Sequence, residues 1–290
     1  MNPRICLLGF GEVGQALAVS LAPRAALSAW DLKFADPGSA PSRAAARLGV
    51  TVSRDAAGAA HGAGMIVSAV TAAQIAPAAR AMAAHLAPRT WYFDLNSTSP
   101  GSKAAAAQIV EAGGGRFVEA AIMSPIAPLG VASPMLLGGP HAAEFQPLAA
   151  RLGFTGTRVL SGKLGSASAA KMCRSVIVKG LEALVLESLL SARRHGVDEV
   201  VLDSLAGLKI DDWRASARYM ASRALLHGAR RAEEMREVSR TVGEAGLAPH
   251  MSTACALWQD WAAARSQANA QSLPALLDGL LAAQPGQGAA

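Results

Sequence analysis

A glycine-rich turn near the amino terminus is the feature that most restricts how this chain can fold. An apolar stretch, Arg4–Leu8, runs directly into Gly9-Phe10-Gly11-Glu12-Val13-Gly14, and a helical pattern follows over Gln15–Leu21. In a G-x-G-x-x-G turn between a strand and a helix, the first glycine allows the tight turn, the second lets the backbone approach a pyrophosphate, and the third lets the helix pack on the strand. The N–H groups at the helix start would bind the phosphates. The turn therefore predicts a dinucleotide-binding α/β domain.

An acidic residue follows the next predicted strand. The stretch Ala26–Trp30 ends in Asp31, at the distance from the glycines where a carboxylate would bind the ribose hydroxyls. Such a carboxylate repels the 2′-phosphate of NADP, so the sequence slightly favours NAD. Lys33, Arg43 and Arg47 lie close enough in sequence to neutralise that phosphate, which leaves NADP open. The alternative for the whole pattern is a glycine-rich turn with an unrelated surface aspartate.

Short apolar runs alternate with helical patterns as far as residue 161. This alternation predicts a doubly wound sheet, a Rossmann domain over residues 1–161. Ligands of such sheets bind at the carboxyl ends of the strands, so Val70-Thr71 and Asn96-Ser97 should face the same crevice as Gly11. The predicted strands are Arg4–Leu8, Ala26–Trp30, Val50–Val52, Met65–Val70, Trp91–Leu95, Phe117–Ala121, Pro134–Leu137 and Thr157–Leu160, and the predicted helices are Gln15–Leu21, Ser42–Leu48, Ala56–Ala60, Ala72–His85, Gly101–Ala112 and His141–Arg151.

The sequence beyond residue 161 is almost entirely helical. From Gly165 to Arg194 it contains no proline, and apolar residues cover more than one face, which predicts a long and mostly buried helix. Gly228 and the segment 207–211 indicate turns between later helices. Residues 162–290 are therefore predicted to form an all-helical domain, joined to the first domain by the long helix. The later helices are predicted over Asp198–Ala206, Trp213–Leu226, Arg230–Val242, Pro249–Ala268 and Pro274–Ala282.

A single lysine, Lys171, stands in the first two turns of the long helix among small and apolar residues. Ser175 lies one turn further along the same face. A lysine in these surroundings either extends its ammonium group to water along its stem or belongs to a functional site. The local sequence leaves both interpretations open.

Charge and composition restrict the possible partners. The net charge of +6 suits an anionic ligand, such as a dinucleotide or a hydroxy acid, and it would also suit nucleic acid. The basic residues are scattered, however, and no run of Lys and Arg is interleaved with aromatic residues. We therefore expect a small anionic substrate and no nucleic acid.

Cysteine and histidine usage indicates neither disulfides nor a metal site. Cys6, Cys173 and Cys255 are far apart and odd in number, and the six histidines are dispersed, so we expect reduced thiols, a cytoplasmic location and no metal. Two uncharged stretches, Ala56–Ala79 and Ala120–Ala143, are long enough to raise the question of a membrane. Both are dominated by Ala, Gly and Pro rather than Leu, Ile and Phe, so we expect no membrane contact.

Four stretches together resemble a known family. They are the glycine turn, Asp94-Leu95-Asn96-Ser97-Thr98-Ser99-Pro100, Glu119-Ala120-Ala121-Ile122-Met123-Ser124, and Gly165-Ser166-Ala167-Ser168-Ala169-Ala170-Lys171-Met172-Cys173. In this order they resemble the β-hydroxyacid dehydrogenase superfamily, which includes 3-hydroxyisobutyrate, tartronate-semialdehyde and 6-phosphogluconate dehydrogenases. The later part, around Arg230-Arg231, is similar to the branch whose carboxy-terminal domain is called DUF1932. The resemblance covers nearly the whole chain.

The resemblance implies an NAD(P)-dependent dehydrogenase acting on a small β-hydroxy acid or a sugar-acid-like substrate. Hydride removal from an alcohol carbon requires that the hydroxyl proton leave too, and the stretch around Lys171 is similar to the family's catalytic-lysine helix. Lys171 is therefore our candidate general acid/base. Ser97, Ser124 and Ser175 would bind the substrate's carboxylate and hydroxyl. Arg174 is a further candidate, as a charge partner for the substrate.

The same resemblance implies an intertwined homodimer. A helical half rich in Ala, Leu and Met would bury part of its apolar surface against a second copy. Arg230 or Arg231 would then be a residue that the site borrows from the partner subunit. A surface ion pair is the alternative role for either arginine.

Two departures from the family pattern leave the specific substrate open. The chain has Met123-Ser124-Pro125 where the family usually has Ser-Gly-Gly, and it has Ser175 where the family has Asn one turn after the lysine. Two other functions also stay open: an imine or keto-acid reductase on the same scaffold, and a dinucleotide-binding protein without turnover. Imine reductases usually place another residue type at the position of Lys171, which counts against the first of these.

Overall fold

The computed structural model describes residues 3–205, 212–265 and 272–282. The chain divides into two compact units, Met1–Met172 and Cys173–Ala290, with the boundary inside one long helix. Over the described residues, every helix is too short or too polar to cross a membrane.

The first unit is built on a single sheet. Among the described residues, eight strands lie in the order β3-β2-β1-β4-β5-β6-β7-β8. All neighbours are parallel except β6 and β7, which are antiparallel. The chain winds outward from β1 to β3 and then resumes at β4 on the other side of β1, which confirms the predicted doubly wound sheet. The strands are β1 Arg4–Leu8, β2 Ala26–Trp30, β3 Thr51–Val52, β4 Met65–Ser68, β5 Trp91–Asp94, β6 Arg116–Ile122, β7 Met135–Gly138 and β8 Thr157–Ser161.

Helices cover both faces of the sheet. In β1, Ile5 and Leu7 belong to one apolar cluster, while Cys6 and Leu8 belong to the other, because successive side chains of a strand point to opposite faces. A strand buried on both faces reads as a continuous apolar run, which is why β1 was recognisable in the sequence. The helices of this unit are α1 Glu12–Leu21, α2 Ala40–Leu48, α3 Ala56–Ala60, α4 Ile75–Ala83, α5 Pro100–Ala112 and α6 Ala142–Arg151.

The predicted helix Ala72–His85 begins differently from the expectation. Its first residues, Ala72–Gln74, form a 3-10 turn, and the α-helix starts only at Ile75. Pro77 therefore lies in the first turn of α4, where its missing N–H leaves no helical hydrogen bond unmade.

The second unit is all-helical, as predicted. Its core joins leucines of the long helix α7, Ser166–His195, to alanines and leucines of later helices. The predicted turn at 207–211 lies outside the described residues. The helices predicted over Asp198–Ala206 and Pro249–Ala268 end earlier, at Ser204 and Ala263, and residues 206 and 266–268 are not described. The later helices are α8 Asp198–Ser204, α9 Trp213–Glu244, α10 His250–Ala263 and α11 Leu273–Ala282.

One prediction for this unit is wrong. The segments predicted as two helices, Trp213–Leu226 and Arg230–Val242, are one continuous helix, α9, and Gly228 lies inside it. A Cβ atom at position 228 would lie 2.6 Å from the carbonyl oxygen of Gln259 and 2.7 Å from the nitrogen of Ala263 in α10. The glycine therefore permits close packing of α9 on α10 and does not mark a turn.

Candidate active site

The glycine turn between β1 and α1 has the geometry that its sequence predicts. Gly9 has φ +91°, a conformation that side chains disfavour, and a Cβ there would lie 2.5 Å from the carbonyl oxygen of Ala69. A Cβ at Gly14 would overlap the carbonyl oxygen of Gly9. Both positions therefore require glycine for steric reasons within the first unit itself.

Gly11 differs from these two glycines because its free side faces open space. No heavy atom lies within 4 Å of a Cβ built there. Gly11 is the N-cap of α1, and its carbonyl accepts the first helical hydrogen bond, from the N–H of Gln15 at 3.0 Å. The fold does not need a glycine at this position, whereas a group that approaches the backbone closely does. Of the residues between the glycines, Phe10 is fully buried, Val13 is half-buried and Glu12 is exposed, so Phe10 presents only its backbone to a ligand.

Asp31 is tied to the same turn. Its Oδ2 accepts a hydrogen bond from the backbone N–H of Phe10 at 2.7 Å, and its Oδ1 accepts one from the N–H of Lys33 at 2.8 Å. Each carboxylate oxygen has two acceptor sites, so one on each oxygen remains for a hydroxyl donor. The structure therefore brings together two of the predicted cofactor-binding elements, the glycine turn and the aspartate at the end of β2.

The loop after β2 folds back on the start of α2. Ser39 Oγ donates to the carbonyl of Lys33 at 2.8 Å, and Ser42 Oγ donates to the carbonyl of Asp36 at 2.7 Å. The Arg43 guanidinium donates to the carbonyl of Gly38. The side chains of Lys33, Arg43 and Arg47 are exposed.

Asn96 links the carboxyl ends of β4 and β5. Its Oδ1 accepts from the backbone N–H of Val70 at 2.6 Å, while its Nδ2 donates to Ser68 Oγ at 2.9 Å and to Asp94 Oδ2 at 2.7 Å. Both N–H groups of the buried amide are thus used inside the protein. Asn96 sets the position of Val70, which is half-buried, and Thr71 follows it on the exposed side of the loop.

A row of buried polar side chains lies beneath these loops. The strand register places Ser68, Asp94 and Glu119 side by side on β4, β5 and β6, and all three are fully buried. Lys103 of α5, also fully buried, forms an ion pair with Asp94 and donates to its backbone carbonyl at 3.1 Å. Lys103 was not recognised as part of any site from the sequence, because nothing local identifies the partner of a helical lysine.

Glu119 connects this row to the start of α7. Its Oε1 accepts a hydrogen bond from the backbone N–H of Ala167 at 2.8 Å, and Ser168 Oγ lies 3.5 Å from its Oε2. Burial raises the pKa of Glu119, and the nearby Lys103 ammonium offsets part of that rise. The predicted catalytic residue, Lys171, is half-buried and follows Ala167 by four residues, one turn along the same helix face.

The predicted substrate-binding residues are distributed over both units. In the first unit, Ser97 and Ser124 are half-buried, and Ser124 Oγ donates to the carbonyl of Pro125 at 3.0 Å. In the second unit, Arg174 is exposed and Ser175 is buried. Within the described ranges, no three His, Cys, Asp or Glu side chains lie close enough together to hold a metal ion.

The second unit contains its own buried charges. Lys179 and Glu182 of α7 form ion pairs with Glu234 and Arg231 of α9, respectively. Burial lowers the pKa of Lys179, and the Glu234 carboxylate opposes that shift. Arg230, which is more exposed, lies 3.0 Å from Glu234. Both arginines considered in the sequence thus have carboxylate partners within the chain.

Comparison with known proteins identifies the family. The model of a domain of unknown function, DUF1932, matches residues 192–262. A conserved hypothetical protein from Sinorhizobium meliloti, of solved structure, is 38% identical, with a TM-score of 0.74 over 97% of this chain and 96% of that one. A conserved protein of unknown function with structural similarity to 3-hydroxyacid dehydrogenases is 32% identical, with a TM-score of 0.69 over 91% and 98% of the two chains. Mycobacterium tuberculosis 3-hydroxyisobutyrate dehydrogenase, solved with L-serine, shares the fold at 17% identity, with a TM-score of 0.71 over 97% and 99%. The chain belongs to the β-hydroxyacid dehydrogenase superfamily, in the branch that carries the DUF1932 domain.

Proposed function

We propose that the protein is an NAD(P)-dependent oxidoreductase that transfers a hydride between the nicotinamide and a small β-hydroxy acid or a sugar-acid-like substrate. The observation that carries the proposal is the glycine turn after β1, which is sterically closed at Gly9 and Gly14 but open at Gly11. A turn of this kind accommodates a pyrophosphate against the backbone and the N-terminus of a helix. Membership of the superfamily supports the same reaction type.

The residues of the first unit fit a dinucleotide. The backbone at Gly11 and the first N–H groups of α1 would hold the pyrophosphate, and the remaining acceptor sites of Asp31 would bind the ribose hydroxyls. We slightly favour NAD, because the Asp31 carboxylate would repel a 2′-phosphate. Lys33, Arg43 and Arg47 could still neutralise such a phosphate, although the Arg43 guanidinium already donates to the carbonyl of Gly38.

In this proposal Lys171 moves the proton. The bound nicotinamide supplies the acceptor or the donor of the hydride. As the hydride leaves the alcohol carbon, the Lys171 amine accepts the proton of the hydroxyl, and in the reduction direction its ammonium group returns that proton to the carbonyl oxygen. Accepting the proton requires hydrogen-bond reach, about 2.6–3.2 Å between the nitrogen and the substrate oxygen.

A small anionic substrate is the class that we propose for the site. Ser97 and Ser124 of the first unit offer hydroxyl groups to a carboxylate and a β-hydroxyl, and the roles of Arg174 and Ser175 rest on the family resemblance alone. The mycobacterial relative was solved with L-serine, which is itself a small carboxylic acid with a β-hydroxyl group. The net charge of +6 would favour the approach of such an anion.

The test is the Lys171→Met variant, assayed on a panel of β-hydroxy acids with NAD and NADP by the absorbance of the reduced cofactor. We expect kcat to fall by about 10² or more, the loss typical of a general acid/base, while cofactor binding measured by calorimetry stays within about threefold. Lys163→Met is the matched control, since Lys163 is exposed in the same unit and should be neutral.

Three outcomes would contradict parts of the proposal. Turnover by Lys171→Met within a few-fold of the wild type would remove the catalytic assignment. Tenfold tighter binding of NADP than of NAD would reverse the cofactor preference. Cofactor binding without turnover of hydroxy acids, keto acids or imines in either direction would favour a non-catalytic dinucleotide-binding protein.

A further inference from the structure

We propose that Glu119 is a positioning residue that docks the first turn of α7 on the sheet and thereby sets the place of Lys171. The significance of Lys171 rests on the proposed function, whereas the docking itself does not. Glu119, the first turn of α7 and Lys171 all belong to the first unit.

The first turn of α7 needs an acceptor. The first N–H groups of a helix have no partner within it, and Ala167 is fully buried, so its N–H cannot be satisfied by water. Glu119 Oε1 accepts that N–H at 2.8 Å from the neighbouring strand β6, 48 residues away in sequence. Ser168 Oγ, which donates to the carbonyl of Gly165 at 3.1 Å, lies at the second carboxylate oxygen. A carboxylate at this end of a helix also interacts favourably with the helix dipole.

The sheet leaves a space for this carboxylate. Gly138 on β7 is the register partner of Glu119, and a Cβ at position 138 would overlap Glu119 Oε1. Gly138 has no positive φ and ends a strand, so its own backbone does not demand glycine. The absence of a side chain at Gly138 therefore leaves the space through which the Glu119 side chain reaches α7.

Charged neighbours make the burial of Glu119 tolerable. The groups that face it are Lys103 of α5 and Asp94 of β5, which are paired with each other. Since the Asp94–Lys103 pair is neutral in sum, replacing Glu119 by an uncharged residue leaves no isolated charge in the core. A variant at position 119 should consequently fold.

The link to Lys171 is the stiffness of the helix. Ala167 and Lys171 are one turn apart on the same face, so fixing the N–H of Ala167 also fixes the height and rotation of α7 at Lys171. Displacement of a catalytic group by about 1 Å can lower turnover by about 10². Loss of the Glu119 acceptor should therefore reduce turnover without removing any group that touches the cofactor.

The experiment compares Glu119→Met, which keeps the volume but not the acceptor, with Glu119→Gln, whose amide oxygen still accepts from Ala167. Glu111→Met is the matched control, because Glu111 also accepts a backbone N–H, that of Phe117 at 3.1 Å, away from α7. In Glu119→Met we expect faster amide hydrogen exchange over residues 165–172 and a kcat lower by about 10- to 100-fold, with cofactor affinity within about threefold. Glu119→Gln should restore protection and most of the turnover.

The pH dependence of folding stability provides a second measurement, because Glu119 titrates whereas the amide of Glu119→Gln does not. Burial raises the pKa of Glu119 above its ordinary value of 4.5, so the folded protein holds this proton to higher pH than the unfolded chain. The folded state then binds more protons in the window that starts near 4.5, and stability falls as pH rises through it. The stability of the wild type relative to Glu119→Gln should therefore decrease across this window.

Unchanged exchange over residues 165–172 in Glu119→Met, relative to Glu111→Met, would overturn the docking. Faster exchange with kcat within a few-fold would overturn the positioning of Lys171. If Glu119→Met does not fold, Gly138→Ala replaces it in the experiment, because its methyl group displaces the Glu119 carboxylate. This variant should show the same changes in hydrogen exchange and kcat. Unaltered exchange and kcat in Gly138→Ala would refute the proposal. If the wild type turns over no substrate, the proposed function fails, and the exchange result still decides the docking.

Discussion

Replacing two glycines of the same turn by alanine should have different effects: Gly11→Ala should weaken cofactor binding, and Gly14→Ala should lower stability. Gly11→Ala places a methyl group where no heavy atom lies within 4 Å, and position 11 has φ −75°, which alanine adopts readily. We expect a stability change below about 1 kcal/mol, since only the N-cap preference is altered. The methyl group stands where the pyrophosphate would approach the backbone, however. The steric clash should cost about 1.4–2.8 kcal/mol of binding free energy, which makes cofactor binding about 10- to 100-fold weaker.

Gly14→Ala should instead destabilise the fold. Its Cβ would overlap the carbonyl oxygen of Gly9 and lie 3.2 Å from the carbonyl carbon, and backbone atoms cannot move aside as a flexible side chain can. Overpacking of this kind costs about 3 kcal/mol at the upper end of its range, and better helix propensity returns about 1 kcal/mol. The net loss of about 2 kcal/mol should lower Tm by about 4–8 °C.

The two variants are compared by thermal unfolding and by calorimetric titration with NAD. Gly64→Ala is the control, because Gly64 is exposed, has no positive φ and has nothing within 4 Å of its Cβ position. Unimpaired cofactor binding by Gly11→Ala would refute the assignment of the turn, and with it the basis of the proposed function. Unchanged Tm in Gly14→Ala would refute the steric argument.

Two further predictions concern the second unit. Gly228→Ala should destabilise the protein by about 2 kcal/mol, since its methyl group would meet backbone atoms of α10. Gly243→Ala, on the exposed end of the same helix, should be neutral or slightly stabilising. Urea unfolding midpoints would distinguish the two variants, and equal midpoints would refute the close packing at position 228. We also propose that the protein is a homodimer, because apolar side chains such as Ile177 and Leu226 are 73% and 74% exposed in one chain. Light scattering at micromolar concentration should then give twice the mass of one chain. The mass of a monomer would contradict this proposal.

Much of the fold was predictable because its signals are local. A strand buried on both faces, such as β1, needs a continuous apolar run, and a turn such as Gly9–Gly14 needs glycine for reasons set by its own backbone. The predicted bounds of β1 and β2 agree with the structure, and most others differ by one or two residues. The error at Gly228 arose because a glycine can serve either a turn or a close helix contact, and only the neighbouring helix distinguishes the two.

The candidate site was predictable only in part. Phe10, Asp31, Val70 and Asn96 could be placed at the carboxyl ends of strands from the pattern alone, since the order of elements in a doubly wound sheet brings those ends together. Their hydrogen bonds could not be predicted in that way. That Asn96 uses its amide to hold Val70, for example, depends on distances between two strands that the sequence separates by 26 residues.

By itself, then, the sequence determined the strands, most of the helices and the glycine turn, because each depends on neighbours within a few positions along the chain. Only the tertiary structure decided which partners the buried charges have: Lys103 with Asp94, and Glu119 with the N–H of Ala167. The physical reason is that a buried charge must be satisfied by whatever group folding brings beside it, and that group can lie anywhere in the chain.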